Sequence, residues 1–568
     1  MGFFRLNTVP RMALFGCVSF LVLYPLAMML IGSFRTEMPG LPGKWGLAGW
    51  IECYSDPAMF KVIWTTVKIA VAKTVLAVVI AVIFSWAIHR TNMPGRQILD
   101  TALYLNFFIM PPLPVILGWV LLFSPKTGVI NQWFSRNFGS PLFDIFSMSG
   151  IVFVMLSFSI SFYYMFLSPS FKSMDITLEE AARTSGASGF QTLRKIVLPL
   201  LMPAILAATM LSFIRGMEAF EAPFFLGARS GINVLSTKIF DYINLEPSNY
   251  MAALSTGVTL LAITFGLVVL QWKLLGTREF VTVTGKGYRP RLMNLGMWRW
   301  PVFILLAVFL GCLTLPPLII LIQTTFMKIA GFYELPGGIW TMDNYREALS
   351  HPDILKAIKN TIILALSVAT IAILLSTLVA YVVVKTRFAE RKALDLIAWL
   401  PWAVPGIVMS LALLWAWIFI KPFGFSLYGS LPLVIICMIT VSFPIGTRIM
   451  ASNMIQISKE LEESARVSGA SWTQSLLRIW LPLLKNGLMN GWILNFTASV
   501  RVLAPVILLF GPQSIVISTI FYEFWSRGNI EMASVVGVLQ SVIIVVGYTF
   551  IKLMGSLGGI KTEEETAA

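Results

Sequence analysis

The sequence predicts an all-α integral membrane protein of about 12 transmembrane helices, arranged as two parallel six-helix repeats. Three observations carry that expectation. Of 568 residues, 57% are hydrophobic and 12% charged, with a mean hydropathy of +0.81, far more apolar than a soluble domain. About twelve stretches reach the roughly 20 apolar residues that a helix needs to cross a bilayer. One polar stretch is also written twice, half a chain apart.

The apolar stretches fall near residues 12–33, 62–88, 101–124, 149–168, 201–227, 252–275, 299–323, 359–384, 394–420, 431–450, 485–511 and 533–553. The first has no small-residue cleavage site and is too long for a signal-peptide core, so it reads as a retained span. Net charge is +15, but the basic residues sit in short segments between spans. The positive-inside rule explains them without nucleic acid. The most basic connection holds Lys273, Arg278, Lys286, Arg289, Arg291 and Arg299 against the single acid Glu279, which makes it cytoplasmic. Counting spans from it puts both termini, the segments His89 to Arg96 and Lys385 to Lys392, and both polar stretches on the same side. Cys17, Cys53, Cys312 and Cys437 form no CxxC pair and read as small packing residues.

The repeated text is EEAARTSGASGFQTLRKIVLPLL (179–201) and EESARVSGASWTQSLLRIWLPLL (462–484), identical at 15 of 23 positions and 283 residues apart. Upstream, Arg90 to Asp100 resembles Lys385 to Asp395 at an offset of 295, so a length difference lies in between. An even number of spans per half returns the second half in the orientation of the first, giving parallel repeats. The first repeat takes residues 1–280, a cytoplasmic linker 281–298, and the second repeat 299–568. Within each polar stretch, Thr177 with Glu180 suggests a capping box and Gly186 a left-handed helix end. Ser188 with Gln191, and Ser471 with Gln474, suggest capping boxes that open a second helix. Glu180 with Arg183, and Glu463 with Arg466, are spaced to pair on one face. A single such stretch reads equally as an interfacial helix lying on headgroups; two copies at half-chain spacing suit a two-copy partner.

Both stretches resemble the EAA loop of importer-type ABC transporter permeases: E-A-A, three residues, G, nine residues, I-x-L-P. The first has Glu180, Ala181, Ala182, Gly186, Ile196, Leu198 and Pro199; the second has Glu463, Ser464, Ala465, Gly469, Ile479, Leu481 and Pro482, departing only at Ser464. The resemblance implies the type I importer permease fold in a bacterial inner membrane, with both termini cytoplasmic. It also implies that each loop docks one of two cytoplasmic ABC ATPase subunits, with ATP and Mg on those partners and no cofactor on this chain. Cargo would arrive on an extracytoplasmic substrate-binding protein, and lipid is the remaining contact. The fused architecture and the text GMEAFEAPFFLG (216–227) look most like ferric-iron permeases. Thiamine, polyamines and phosphonate- or sulfate-like anions are the alternative cargoes.

Charges inside spans are costly and face a polar interior, which singles out Arg215, Glu218 and Glu221 in the fifth stretch and Arg501 in the eleventh as lining the pathway or its gate. An offset of 283 makes Glu218 correspond to Arg501. The competing reading is structural, with Glu218 paired to Arg501 or Arg215. Pro111, Pro112 and Pro114, and Pro401 and Pro405, are expected to bend the third and ninth spans. Catalysis finds no support. Thr284-Gly285-Lys286-Gly287 is not a P-loop, no HExxH or GxSxG occurs, and His89 and His351 read as solvated rather than metal-binding. An ion-gradient-driven secondary transporter is the rival class, but it leaves both EAA loops without a purpose.

Overall fold

The computed structural model describes residues 8–37, 43–174, 181–182, 184–244, 246–275, 292–332, 338–386, 389–418 and 426–557. The first repeat contains α1 (Thr8–Gly32), α2 (Ala48–Ser55), α3 (Pro57–Arg90), α4 (Arg96–Ile109), α5 (Pro112–Phe123), α6 (Val129–Phe138) and α7 (Met148–Ser173). It continues with α8 (Leu198–Met217), α9 (Glu221–Gly227), α10 (Leu235–Asn244) and α11 (Tyr250–Leu275). The second contains α12 (Arg299–Thr325), α13 (Asp343–Ser350), α14 (Pro352–Lys385), α15 (Arg391–Trp399), α16 (Gly406–Trp417) and α17 (Leu431–Gln456). It ends with α18 (Lys459–Val467), α19 (Leu481–Arg501), α20 (Ile517–Ser526) and α21 (Ile530–Leu557).

Among the described residues, nine helices are long and apolar enough to cross a membrane, and two bent pairs raise the number to eleven. The expected third and ninth spans are those pairs: α4 and α5 meet at 103°, and α15 with its following 3-10 turn meets α16 at 110°. Proline fixes each corner. Met110 and Val404, the residues preceding Pro111 and Pro405, are extended at φ −97° and −99°, because a following proline disfavours the helical region. The expected eleventh span is α19, whose Lys485, Asn486, Asn490 and Asn495 dilute its apolar character. Equivalent helices start 294 residues apart at α5 and α16 but 283 apart at α7 and α17. The length difference therefore lies in the connection that carries α6.

The helices pack into two compact units that do not follow the sequence halves. One comprises residues 1–56, 238–262 and 343–568; the other comprises 57–237 and 263–342. In the first unit α14, α17 and α19 pack together, and α1 lies along α16. In the second, α3 packs on α7 and α8, and α12 lies along α5. The leading span of each repeat is thus built into the unit holding most of the other repeat. Glycine permits both close approaches. A Cβ on Gly118 of α5 would sit 2.2 Å from the Pro317 carbonyl oxygen of α12, and one on Gly32 of α1 would sit 2.5 Å from the Trp415 ring of α16.

The two histidines are not solvated as the sequence suggested. His89 Nε2 lies 2.7 Å from Ser168 Oγ and 3.1 Å from the Tyr164 hydroxyl, because α3 ends against α7 rather than in an open loop. His351 is half-buried, its ring edge-on to Phe524 at 5.7 Å. The described end of the linker also has a fixed place. Met293 N–H donates to the Arg90 carbonyl, and Asn92 N–H to the Met293 carbonyl, which joins two basic segments that the span count puts on one side.

Candidate coupling loops and pathway charges

Where both are described, the two polar stretches fold alike. Glu180 and Arg183, with the Thr177 capping box, lie outside the described residues, as does the Arg466 side chain. Ala181 and Ala182 are helical, and Gly186 takes φ +83°. In the second copy Glu463, Ser464 and Ala465 are in α18, with Glu463 and Ser464 exposed, Ala465 buried, and Gly469 at φ +77°. Each glycine supplies the left-handed conformation that ends a helix, letting the next amide reach back: Ala187 N–H to the Ala182 carbonyl and Ala470 N–H to the Ala465 carbonyl, both at 3.0 Å. In each copy a serine bonds the preceding turn twice, through its N–H and its hydroxyl: Ser185 N–H and Oγ donate to the Ala181 carbonyl at 3.1 and 2.8 Å, and Ser468 N–H and Oγ to the Ser464 carbonyl at 3.0 and 2.9 Å.

Both expected capping boxes are formed. Ser188 N–H donates to Gln191 Oε1 at 2.9 Å, and Gln191 N–H donates to Ser188 Oγ at 3.3 Å. Ser471 and Gln474 repeat both bonds at the same distances. Each copy then passes through a five-residue π-helical segment, Leu193–Val197 or Leu476–Trp480, into α8 or α19. Pro199 and Pro482 have no N–H for the carbonyls of Lys195 and Arg478 four residues back, and widening the turn relieves the ring clash. Leu461 and Val467 on α18 are 47% and 90% exposed, leaving apolar side chains beside Glu463 on an otherwise polar helix.

The fifth stretch is not one continuous span. α8 stops at Met217, Glu218 is its C-cap, and α9 restarts with Glu221 in its first turn. The second repeat breaks at the corresponding place: α19 ends at Arg501, and residues 503–509 are buried, with 504–509 in turns. Non-helical backbone at membrane depth is tolerated only inside protein or lining a cavity. Glu218 is bonded by Arg215 Nη1 at 2.8 Å, with side chains 7% and 37% exposed, while its Oε1 is buried and unpartnered. Of the two structural pairings considered for Glu218, this one is formed.

Sequence reasoning missed Lys73. It is 2% exposed on α3, and its Nζ donates to the Tyr163 hydroxyl of α7 at 2.8 Å and to the Ser212 carbonyl of α8 at 3.2 Å. Ser212 lies one turn before Arg215, so two cations and one carboxylate share the end of α8. The rule that singled out Glu218, a charge inside an apolar run, also marks Lys73. At the corresponding positions the second repeat has Val368, Gly446 and Asn495, so this charged knot belongs to the first repeat alone. Among the described residues, no group of three or more His, Cys, Asp or Glu side chains is placed to hold a metal ion.

The family described as binding-protein-dependent transport system inner membrane component matches residues 92–275 and 372–556. The chain belongs to that family. The first match starts just before the proline-broken span and the second inside α14, and each runs through a complete polar stretch to the last helix of its repeat, so the family's unit occurs twice in one polypeptide. The putative ferric transport system permease protein FbpB 1 of Haemophilus influenzae is 28% identical over 418 residues, 71% of this chain and 62% of that protein. The ferric transport system permease protein FbpB of Actinobacillus pleuropneumoniae is 25% identical over 494 residues, 84% of this chain and 68% of that one. A solved bacterial ABC transporter involved in the import of the acidic polysaccharide alginate aligns at a TM-score of 0.37 with 21% identity, covering 45% of this chain and 94% of its own. As a family member, this chain is a multi-pass inner-membrane transport component.

Proposed function

We propose that this chain is the permease subunit of an ABC importer that carries ferric iron from an extracytoplasmic binding protein to the cytoplasm, with both its termini cytoplasmic. The twice-built helix, left-handed glycine and capping box carry the reading. A glycine turn and capping box that recur at half-chain spacing suit two copies of one ATPase gripping a single polypeptide. The mechanical path is short. Each loop continues through a π-helical segment into α8 or α19, and those helices end at Glu218 and Arg501, beside buried non-helical backbone. Tilting a loop therefore shifts the charges where the pathway would open. ATP and Mg belong to the ATPase partners, and this chain supplies positioning rather than catalysis.

Ferric iron is favoured by two relatives named as ferric transport permeases that align over most of this chain. An anionic cargo is the second reading, favoured by buried Lys73 and half-buried Arg215 gathered near one carboxylate and by a sulfate transport permease of Escherichia coli that is 31% identical over 205 residues. The test is co-expression with a neighbouring ABC ATPase, followed by pull-down in detergent and uptake of radioactive ferric iron or sulfate. ATPase retention and ATP-dependent uptake are expected. Glu180→Ala and Glu463→Ala should both impair uptake, and to different degrees, since Ser464 replaces alanine beside only one of them. Uptake without ATP and without retained ATPase would sink the importer reading.

A further inference from the structure

The long helices α3 and α14 end in a buried cation, and in both repeats that cation grips the start of the polar loop. Arg90, 4% exposed, donates from Nη1 to the Met174 carbonyl at 3.3 Å. Lys385, 6% exposed, donates from Nζ to the Ile457 carbonyl at 2.8 Å. Met174 and Ile457 are the C-caps of α7 and α17, the points where the chain leaves the membrane helix for the loop. The cations correspond at an offset of 295 and the carbonyls at 283, so the contact is preserved across the length difference carried by α6. The residues after the cations match as well. Thr91 and Thr386 turn their hydroxyls to the carbonyls of Ala87 and Val382, at 2.6 and 2.7 Å, ending each long helix in the same way.

The chemistry explains the choice of residue. A helix C-terminus leaves carbonyls with partial negative charge, where a cation is favourable, and a buried cation needs oxygen partners. The second repeat adds a contact that the first cannot make. Lys385 Nζ lies 5.1 Å from the centre of the Trp480 ring, which Tyr381 meets edge-on at 5.8 Å. Trp480 closes the π-helical segment after the second loop, so Lys385 touches both the beginning and the end of that loop. The counterpart of Trp480 is Val197, which has no ring.

We propose that Arg90 and Lys385 are positioning residues that fix the two coupling loops to the long spans, with the second loop clamped at both ends and the first at its beginning. Their role in coupling rests on the reading that these loops dock ATPases; the clamp itself does not. The same tilt would therefore pass to the membrane more directly through the second repeat.

Hydrogen–deuterium exchange on the full chain in lipid nanodiscs, without any ATPase, tests the clamp. Lys385→Met should speed exchange across residues 459–470 while the buried middle of α17 stays protected, and Lys385→Arg should restore protection. Trp480→Leu should give a smaller increase over the same residues, and Arg90→Met should loosen 184–192 with the second loop unaffected. If Lys385→Met also exposes the middle of α17, Lys385→Gln, which keeps a donor for Ile457 without the charge, replaces it. Unchanged exchange at 459–470 in the folded variant, or failure of Lys385→Arg to restore it, would overturn the proposal. Because no ATPase is present, a permease that docks none would still show the clamp, and loss of docking alone would leave the clamp standing.

Discussion

Glu218 sits at a helix C-terminus, where partial negative charge from the last carbonyls disfavours an anion. Its counterpart Arg501 has the favourable sign and ends α19 directly. Glu218 therefore depends on Arg215, three residues back and 2.8 Å away. Breaking a buried pair by removing one partner costs about 3–5 kcal/mol. The 37% exposure of Arg215 puts Arg215→Met at the low end, about 3 kcal/mol. Adding Glu218→Gln should recover part of that loss, because it removes the buried carboxylate that Arg215 had compensated. Denaturant unfolding in detergent measures both, and equal stability of the single and double variants would contradict the pairing. Arg215 and Glu218 were legible in the sequence as charges inside an apolar run. That they pair with each other was not, since three-residue spacing permits the contact without choosing it over Arg501.

The polar loops were the most legible elements, because the glycine turns and capping boxes that shape them are local. Gly186 with Ala182, and Ser188 with Gln191, lie within five residues of each other, and short-range geometry suffices to place them. Ser188→Ala should cost about 1 kcal/mol of cap stability and speed amide exchange over residues 189–192. Gly186→Ala should cost about 1–2 kcal/mol, since a side chain disfavours the left-handed conformation. Hydrogen exchange confined to this segment, with the spans unaffected, is the expected result. The π-helical segments escaped sequence reading. Proline alone signals a helix start or a kink, and which backbone adjustment relieves its clash depends on what surrounds the turn. The proline-broken spans were foreseen as bends, but corners near 100° turn expected single spans into helix pairs.

At the scale of the whole molecule, repeats and compact units are different divisions of the same chain. Sequence similarity follows ancestry along the polypeptide, whereas packing follows shape, and α1 and α12 each complete the unit that holds most of the other repeat. Residues 1–280 expressed alone should therefore be degraded or aggregate, since each leading span is separated from its partner. Co-expression of residues 1–280 with residues 281–568 should yield a complex that co-purifies in detergent. A stable, monodisperse first half on its own would argue against this exchange. Gly118→Val should weaken the co-purified complex, because the Pro317 carbonyl leaves no room for a side chain, and overpacking costs about 1–3 kcal/mol.

The sequence by itself determined the membrane class, the two repeats, the family and the glycine turn and capping box of both polar loops. Each of these is written in composition, in spacing or in contacts a few residues long. Only the tertiary structure decided that Lys73 joins three helices, that Glu218 takes Arg215, that Arg90 and Lys385 grip the loop starts, and that the leading spans are exchanged. Apart from the Arg215 pair, those contacts join residues dozens to hundreds of positions apart. Many apolar spans can satisfy their own backbone hydrogen bonds in any order of packing, so the choice among neighbours rests on glycine clearances and a few buried polar groups that no local pattern announces.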